Sequence, residues 1–140
     1  MGYLIDARRS ANMAAVRSKD TTPELVVRRA AHRMGLRFRL HRRDLPGSPD
    51  LVLAKHGLVV FVHGCFWHRH PRCKRASIPK TRSVFWRTKL EGNAKRDQRV
   101  RKALRMLGWR VLVIWECQLK HGEQRIEAML KKAIGKLPRA

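Results

Sequence analysis

Residues 61–73 read FVHGCFWHRHPRC and crowd metal-binding, proton-transferring and stacking side chains into one short stretch. Cys65, His70 and Cys73 are soft ligands grouped on what reads as a loop. A structural zinc ion takes four such ligands in a closed tetrahedron of Cys and His. The chain has one more cysteine, Cys117, at the end of the apolar run WRVLVIWE. Cys65, His70, Cys73 and Cys117 are therefore expected to form a Cys3His zinc site. A full protein quartet leaves no open position, so such a zinc staples the loop and does no catalysis. In the competing reading, Cys117 is a buried strand cysteine and the other two are free thiols, and all three stand at element ends by coincidence.

Catalysis needs acids and bases, and the chain has only ten Asp and Glu, so each can be weighed. Asp50 follows Pro49 and opens an apolar run, which sets a carboxylate at a strand mouth. There it could hold magnesium together with the main-chain carbonyl of Val62, with His63 beside it, since magnesium takes oxygen ligands and keeps several waters. Standing alone, Asp50 would read as a turn-capping acid. Glu24 reads equally well as a water-mediated metal or base partner and as a first-turn helix acid favoured by the dipole. His68 has the side chain of a general base near neutral pH, although a lone loop histidine is more often merely solvated. Asp97 lies within KRDQR, where a helix salt bridge is the default.

Phe66 and Trp67 stand between two of the expected metal ligands. Exposed apolar rings on a rigid loop need something to meet, and a base stack opened by a wedge is one such target. Trp86 could join them. The alternative is that all three pack inward, which is the reading taken for Trp109 and Trp115 inside a strand pattern.

These residues need elements to position them. Thr21-Thr22-Pro23-Glu24 carries helix-start signals, and Gly35 ends the stripe that follows. LRFRLH (36–41) alternates as a half-buried strand does, and RRDLPGSP is a turn region. DLVLA and LVVFVH read as a hairpin across the KHG link. A basic helix over 83–107, a buried strand over 109–116 and a final amphipathic helix over 122–135 complete the order α-β-β-β-α-β-α. The expected fold class is α/β, a mixed sheet with helices on both faces.

The composition bounds the partners. Thirty-three Lys and Arg against ten acids give +23 at pH 7 over 140 residues. Such a charge points to nucleic acid through phosphate contacts and counterion release. On charge alone a ribosomal or other RNA-binding protein stays open. Three cysteines argue against a disulfide framework, and the absence of a signal-peptide core or a long apolar run points to a cytoplasmic protein.

Taken together, RSANM (9–13), TTPE (21–24), LPGSPD (45–50), FVHGCFWHRH (61–70), FW (85–86), KRD (95–97) and GWRVLVIWEC (108–117) resemble the very short patch repair endonucleases. These are bacterial DNA mismatch endonucleases of the restriction-endonuclease-like superfamily. The resemblance implies nicking of one DNA strand beside a T·G mismatch, of the kind left when 5-methylcytosine deaminates. It implies that Asp50 and the Val62 carbonyl bind Mg2+, that His68 is the general base, and that His63, Glu24 and Asp97 support the site. It carries over the structural zinc, one per chain. It also matches Phe66, Trp67 and Trp86 to intercalating residues, Lys89 and Asn93 to positions near the mismatched bases, and Asn12 and Met13 to a minor-groove segment. Val62 stands where some members have Thr, and two residues separate His70 from Cys73 where some members have one. The implied organisation is a single nuclease domain over 1–140. Within it, 1–20 contacts DNA, 21–117 is the catalytic core and 118–140 is a C-terminal helix. The expected partners are mismatched duplex DNA and mismatch-repair proteins, with the chain a monomer acting at the nucleoid. Two rival functions remain: a restriction-type nuclease without mismatch preference, and a non-catalytic zinc-containing nucleic-acid-binding module.

Overall fold

The computed structural model describes residues 21–135. The segment 1–20, with Asn12 and Met13, lies outside the described residues, as does the end of the tail after 135. Helix α1 (Thr22–Arg33) starts where the hydroxyl and proline signals place it, with the Thr21 side chain accepting from the Glu24 N–H. There follow β1 (Arg39–Leu40), β2 (Leu51–Leu53), β3 (Leu58–His63), α2 (Ser83–Met106), β4 (Arg110–Trp115) and α3 (Glu123–Gly135). The order is the expected one, with short 3-10 turns in between.

The strands form one mixed sheet in the order β1-β2-β3-β4. β1 and β2 are antiparallel, as are β2 and β3. β4 returns parallel to β3 after the α2 crossover, with Leu58 opposite Arg110 and His63 opposite Trp115. Alternation along each strand then sorts the side chains onto two faces. Leu51, Leu53, Leu58, Val60 and Ile114 join Val27, Ala30, Ala31, Ile126 and Leu130, so α1 and α3 cover one face. Val52, Val59 and Phe61 meet Leu104 of α2 on the other. Helices on both faces explain why β2 and β3 are apolar almost without interruption.

Two expectations change. The strand over 36–41 keeps only two ladder residues, both exposed, because Leu36 and Phe38 turn into the α1–α3 core and His41 takes a left-handed backbone at φ 50. The segment 109–116 is not a fully buried strand: only Ile114 of β4 is buried. As the last strand in the order, β4 has a neighbour on one side only.

The turn before β2 is fixed by close packing. Gly47 has φ +73, and a Cβ there would lie 2.4 Å from Val100 Cγ1 of α2. Both the backbone conformation and the contact exclude a side chain, and the turn they fix delivers Asp50. Gly47→Ala is expected to destabilise the fold by about 1–3 kcal/mol. Urea denaturation would measure it, and a change below about 0.5 kcal/mol would contradict this role for the turn.

Candidate active site

Asp50 sits where the β2–β3 ladder ends. Its Oδ2 accepts the Val62 N–H at 2.6 Å, so β3 itself orients the carboxylate. A strand residue's N–H and C=O point to the same side, so the Val62 carbonyl faces the Asp50 side as well. Glu24, one turn into α1 and only 2% exposed, approaches from the α1 face. His41 completes the group: its Nε2 lies 3.0 Å from Glu24 Oε2 and its Nδ1 4.0 Å from Asp50 Oδ1. One ligand atom each from Glu24, His41 and Asp50 fall within 4.8 Å of one another. Arg28, one helical turn after Glu24, pairs with that carboxylate and lies 3.0 Å from His41 Nε2. Burial pushes the Asp50 carboxyl up from 3.8 to about 7, the Val62 N–H opposing and Glu24 reinforcing the rise. The buried Glu24 carboxylate opposes ionisation of the half-buried Asp50, and with a guanidinium standing against them the two make a donor set that fits a divalent cation.

The residue after Val62 points to the opposite face of the sheet, so a second group forms across the end of β3. His63 is 4% exposed, and its ring stacks on His68 with centroids 3.7 Å apart and planes 5° from parallel. His68 Nδ1 lies 2.6 Å from Asp97 Oδ2, reaching the loop from the middle of α2. Burial, and then the neighbouring His68, hold the His63 pKa down at about 3, so His63 is a neutral ring. A carboxylate accepts, so Asp97 favours the His68 tautomer with its proton on Nδ1 and its lone pair on Nε2. Asp97 therefore does more than form a surface pair in a basic run.

The third group is the sulfur cluster. Backbone bonds from His70 N to Cys65 O and from Cys73 N to His70 O curl the loop over itself. Parallel pairing brings Cys117 beside it from the end of β4. Ligand atoms of Cys65, His70, Cys73 and Cys117 lie within 4.8 Å of one another. His70 Nδ1 is 3.6 Å from Cys65 Sγ and 3.5 Å from Cys117 Sγ. A tetrahedron with ordinary Zn–S and Zn–N bonds has an S···N edge of about 3.6 Å. The spacing fits. Burial pushes the Cys65 thiol up to about 12, so a cation would be needed to hold it as thiolate.

The aromatic residues do not stand out from the loop. Phe66 is 7% and Trp86 8% exposed, and with Leu90 they form a small core between the loop and α2. Trp67 packs on it edge-on, half-buried. Asn93 donates to the Trp67 carbonyl at 3.1 Å, and Lys89 Nζ lies 5.7 Å from the Trp67 ring centroid. The i, i+4 spacing puts Lys89 and Asn93 on one side of α2, where they dock the loop. The expected exposure of a Phe66-Trp67 wedge thus does not hold in the DNA-free fold, because Leu90 and Trp86 give the rings an apolar partner. Phe85, beside them, is the exposed aromatic at 44%. Around the site α2 carries eight Lys and Arg against Glu91 and Asp97, a surface suited to a phosphate backbone.

Sequence reasoning missed four residues. His41 had a signal, since it ends an alternating strand whose register sets it beside Asp50, confirmed by His41 N to Asp50 O at 3.3 Å. Arg28 had only its i, i+4 relation to Glu24. Glu116 accepts from the Cys65 N–H at 3.1 Å and ties the loop to β4. Trp115, read as core, stacks on His70 at 4.1 Å and meets His63 edge-on at 5.3 Å, joining the sulfur cluster to the histidine pair.

Comparison with known proteins gives a consistent picture. The family described as DNA mismatch endonuclease Vsr matches residues 1–75. The chain is 54% identical over 112 residues to a type II nicking enzyme, V.XorIIP, of Xanthomonas oryzae, covering 80% of this chain and 82% of that one. It is 41% identical over 128 residues to the DNA mismatch endonuclease Vsr of Escherichia coli, covering 91% and 81%. The type II nicking enzyme V.NmeAIP of Neisseria meningitidis is 41% identical over 115 residues, covering 82% and 81%.

The raised Asp50 pKa makes stability depend on pH. The folded state binds this proton more tightly than the unfolded chain, so the contribution is fully present below about pH 3.8 and is lost as pH rises through about 7. Asn at position 50 keeps an acceptor for the Val62 N–H without the charge. With EDTA present, Asp50→Asn is expected to raise the melting temperature at pH 8 by about 5–10 °C and to change it little at pH 4. Equal melting temperatures at pH 8 would remove the case for a strained, cation-seeking carboxylate.

Proposed function

The chain belongs to the Vsr family of DNA mismatch endonucleases and is a DNA-nicking enzyme, and from that premise we propose that it cuts one strand of duplex DNA beside a T·G mismatch. The observation that carries this reading is the pairing, across the end of β3, of the Asp50 cluster with the Asp97-oriented His68. Asp50, with the Val62 carbonyl and Glu24 near it, would hold Mg2+. Bound there, the cation supplies charge neutralisation at the scissile phosphate and a more acidic water.

The chain's own residues do the rest. His68 takes the proton of the attacking water at Nε2, and Asp97 stabilises the imidazolium that results. The neutral His63 ring stacks on His68 and fixes its plane without adding charge. Water forms the new bond to phosphorus, the bond to the departing sugar oxygen breaks, and that oxygen takes a proton from solvent. Lys and Arg of α2 hold the backbone. Cys65, His70, Cys73 and Cys117 hold one structural zinc, and Trp115 links that staple to the histidine pair.

In this reading Trp67 meets the mismatch first, and Phe66 and Trp86 leave their apolar nest to enter the stack, with Lys89 and Asn93 at the bases. Asn12 and Met13 reach the minor groove from segment 1–20. The chain acts as one nuclease domain in the bacterial cytoplasm, in concert with mismatch-repair proteins. A nuclease without mismatch preference is the second reading. The burial of Phe66 and Trp86 favours it, since a site that never opened the stack would leave those rings packed.

One set of nicking assays separates the two. With Mg2+, a T·G duplex is expected to be nicked at least about tenfold faster than its matched counterpart, a modest discrimination for one mispair. Equal rates would favour the second reading. Asp50→Ala should slow nicking by about a thousandfold or more while T·G duplex binding changes only a few-fold. Nicking at the parent rate would overturn the proposed chemistry.

Metal analysis addresses the staple independently. About one zinc per chain is expected in the purified protein, and Cys117→Ala should lose it and melt at lower temperature. A zinc-free, fully stable parent would contradict the assignment.

A further inference from the structure

The Asp50 cluster contains an imidazole that the proposed oxygen ligands do not account for. His41 closes β1 in a left-handed backbone, φ 50, which directs it away from the ladder and toward Glu24 and Asp50. A non-glycine residue held there is uncommon, and such conformations gather at functional sites. Its Nε2 lies 3.0 Å from Glu24 Oε2. Two neighbouring ligands of one octahedral ion with bonds near 2.1 Å are separated by about 3.0 Å. Its other nitrogen, Nδ1, is the one nearer Asp50, at 4.0 Å from Oδ1. The other Asp50 oxygen is held by the Val62 N–H.

A positive group already stands against these atoms. Arg28 Nη2 meets Glu24 Oε2 and His41 Nε2 together. A guanidinium only donates, so Nε2 receives it with a lone pair in the tautomer that carries its proton on Nδ1, the nitrogen facing Asp50. Carboxylate and imidazole thus share the Arg28 guanidinium, which has the sign of charge that a metal ion would have. The guanidinium is a stand-in for that ion and would be repelled when one enters.

We propose that His41 is a direct nitrogen ligand of the divalent cation held by Asp50 and Glu24, with Arg28 the internal counter-cation displaced on loading. The inference rests on the cation-dependent chemistry proposed above and refines which cation it takes. Magnesium binds oxygen and gains little from an imidazole, whereas first-row transition ions accept mixed nitrogen and oxygen sets. The site therefore favours Mn2+ over Mg2+. Removing the imidazole weakens Mn2+ binding more than Mg2+ binding. Removing the Arg28 charge strengthens both.

The test uses Mn2+ as the probe on the full-length protein without DNA. Pulsed electron paramagnetic resonance of the Mn2+-loaded parent is expected to show coupling to one directly bound nitrogen. Coupling should vanish in His41→Asn and persist in His68→Asn. Asn is chosen because it tolerates the left-handed backbone. In Mn2+ titrations, His41→Asn is expected to weaken binding about tenfold or more, and Arg28→Ala to tighten it several-fold. Competition by Mg2+ should become more effective in His41→Asn. A parent spectrum without nitrogen coupling overturns the proposal even if no variant folds, as does coupling that survives in His41→Asn. Asp50→Ala separates the two levels of the argument. If it abolishes Mn2+ binding while His41→Asn keeps both affinity and coupling, only the His41 assignment fails. If Asp50→Ala keeps Mn2+ binding, the cation site of the proposed function fails with it.

Discussion

The parallel pairing of β3 with β4 is the constraint on which the site depends. Its register sets His63 beside Trp115, so both chains leave the sheet at the same end. One exit becomes the loop with Cys65, His70 and Cys73, and the other supplies Glu116 and Cys117. A slip of one residue would send every β4 side chain to the opposite face and carry Cys117 away from the loop. That pairing in turn requires α2 as its crossover, because parallel strands cannot be joined by a tight turn. The long basic helix therefore closes the sheet, supplies Asp97 to His68 and carries a cationic surface.

The end of β3 divides the chemistry by strand alternation alone. Val62 contributes its backbone to the Asp50 side, and His63 contributes its ring to the α2 side. Consecutive residues thus reach two different groups, Asp50 with Glu24 and His41 on one face and His68 with Asp97 on the other. The charge distribution follows the same division. In a chain of net charge +23, Glu24, Asp50, Asp97 and Glu116 are all turned inward to hold histidines, backbone N–H groups or a cation. Most of the described lysines and arginines are left to form the outer surface, while Arg28 turns inward to Glu24. Carboxylates so placed lose hydration, and a cation or a hydrogen bond must replace it.

The loop is rigid for several independent reasons. The sulfur cluster clamps its two ends, Glu116 ties its first N–H, and Asn93 holds the Trp67 carbonyl. Trp115 stacks on His70 and touches His63, so one ring joins the sulfur cluster to the histidine pair. The aromatic nest of Phe66, Trp86 and Leu90 adds packing in the absence of DNA. Exposing Phe66 or Trp86 would have to offset the loss of that small core.

The order of elements was legible in the sequence because hydrophobic period, capping residues and glycine stops are local signals. So was the gathering of Cys65, His70, Cys73 and Cys117, since only three cysteines were available to pair with a nearby histidine. The contacts of Asp97 and Trp115 were not, because a salt-bridge acid and a core tryptophan have the same local pattern as a histidine-paired acid and a bridging ring. The burial of Phe66 and Trp86 was not legible either: whether an aromatic pair faces outward depends on what the opposite element offers, here Leu90 one turn along α2. His41 illustrates the boundary most clearly. Its position at the end of an alternating strand is written in the sequence, but its approach to Glu24, Asp50 and Arg28 requires α1, β1 and β2 to converge. Sequence alone determined the elements and most of the reactive side chains, because those depend on neighbours along the chain. Tertiary structure decided which of those side chains meet, because contacts between residues distant in sequence are set by sheet register and helix packing.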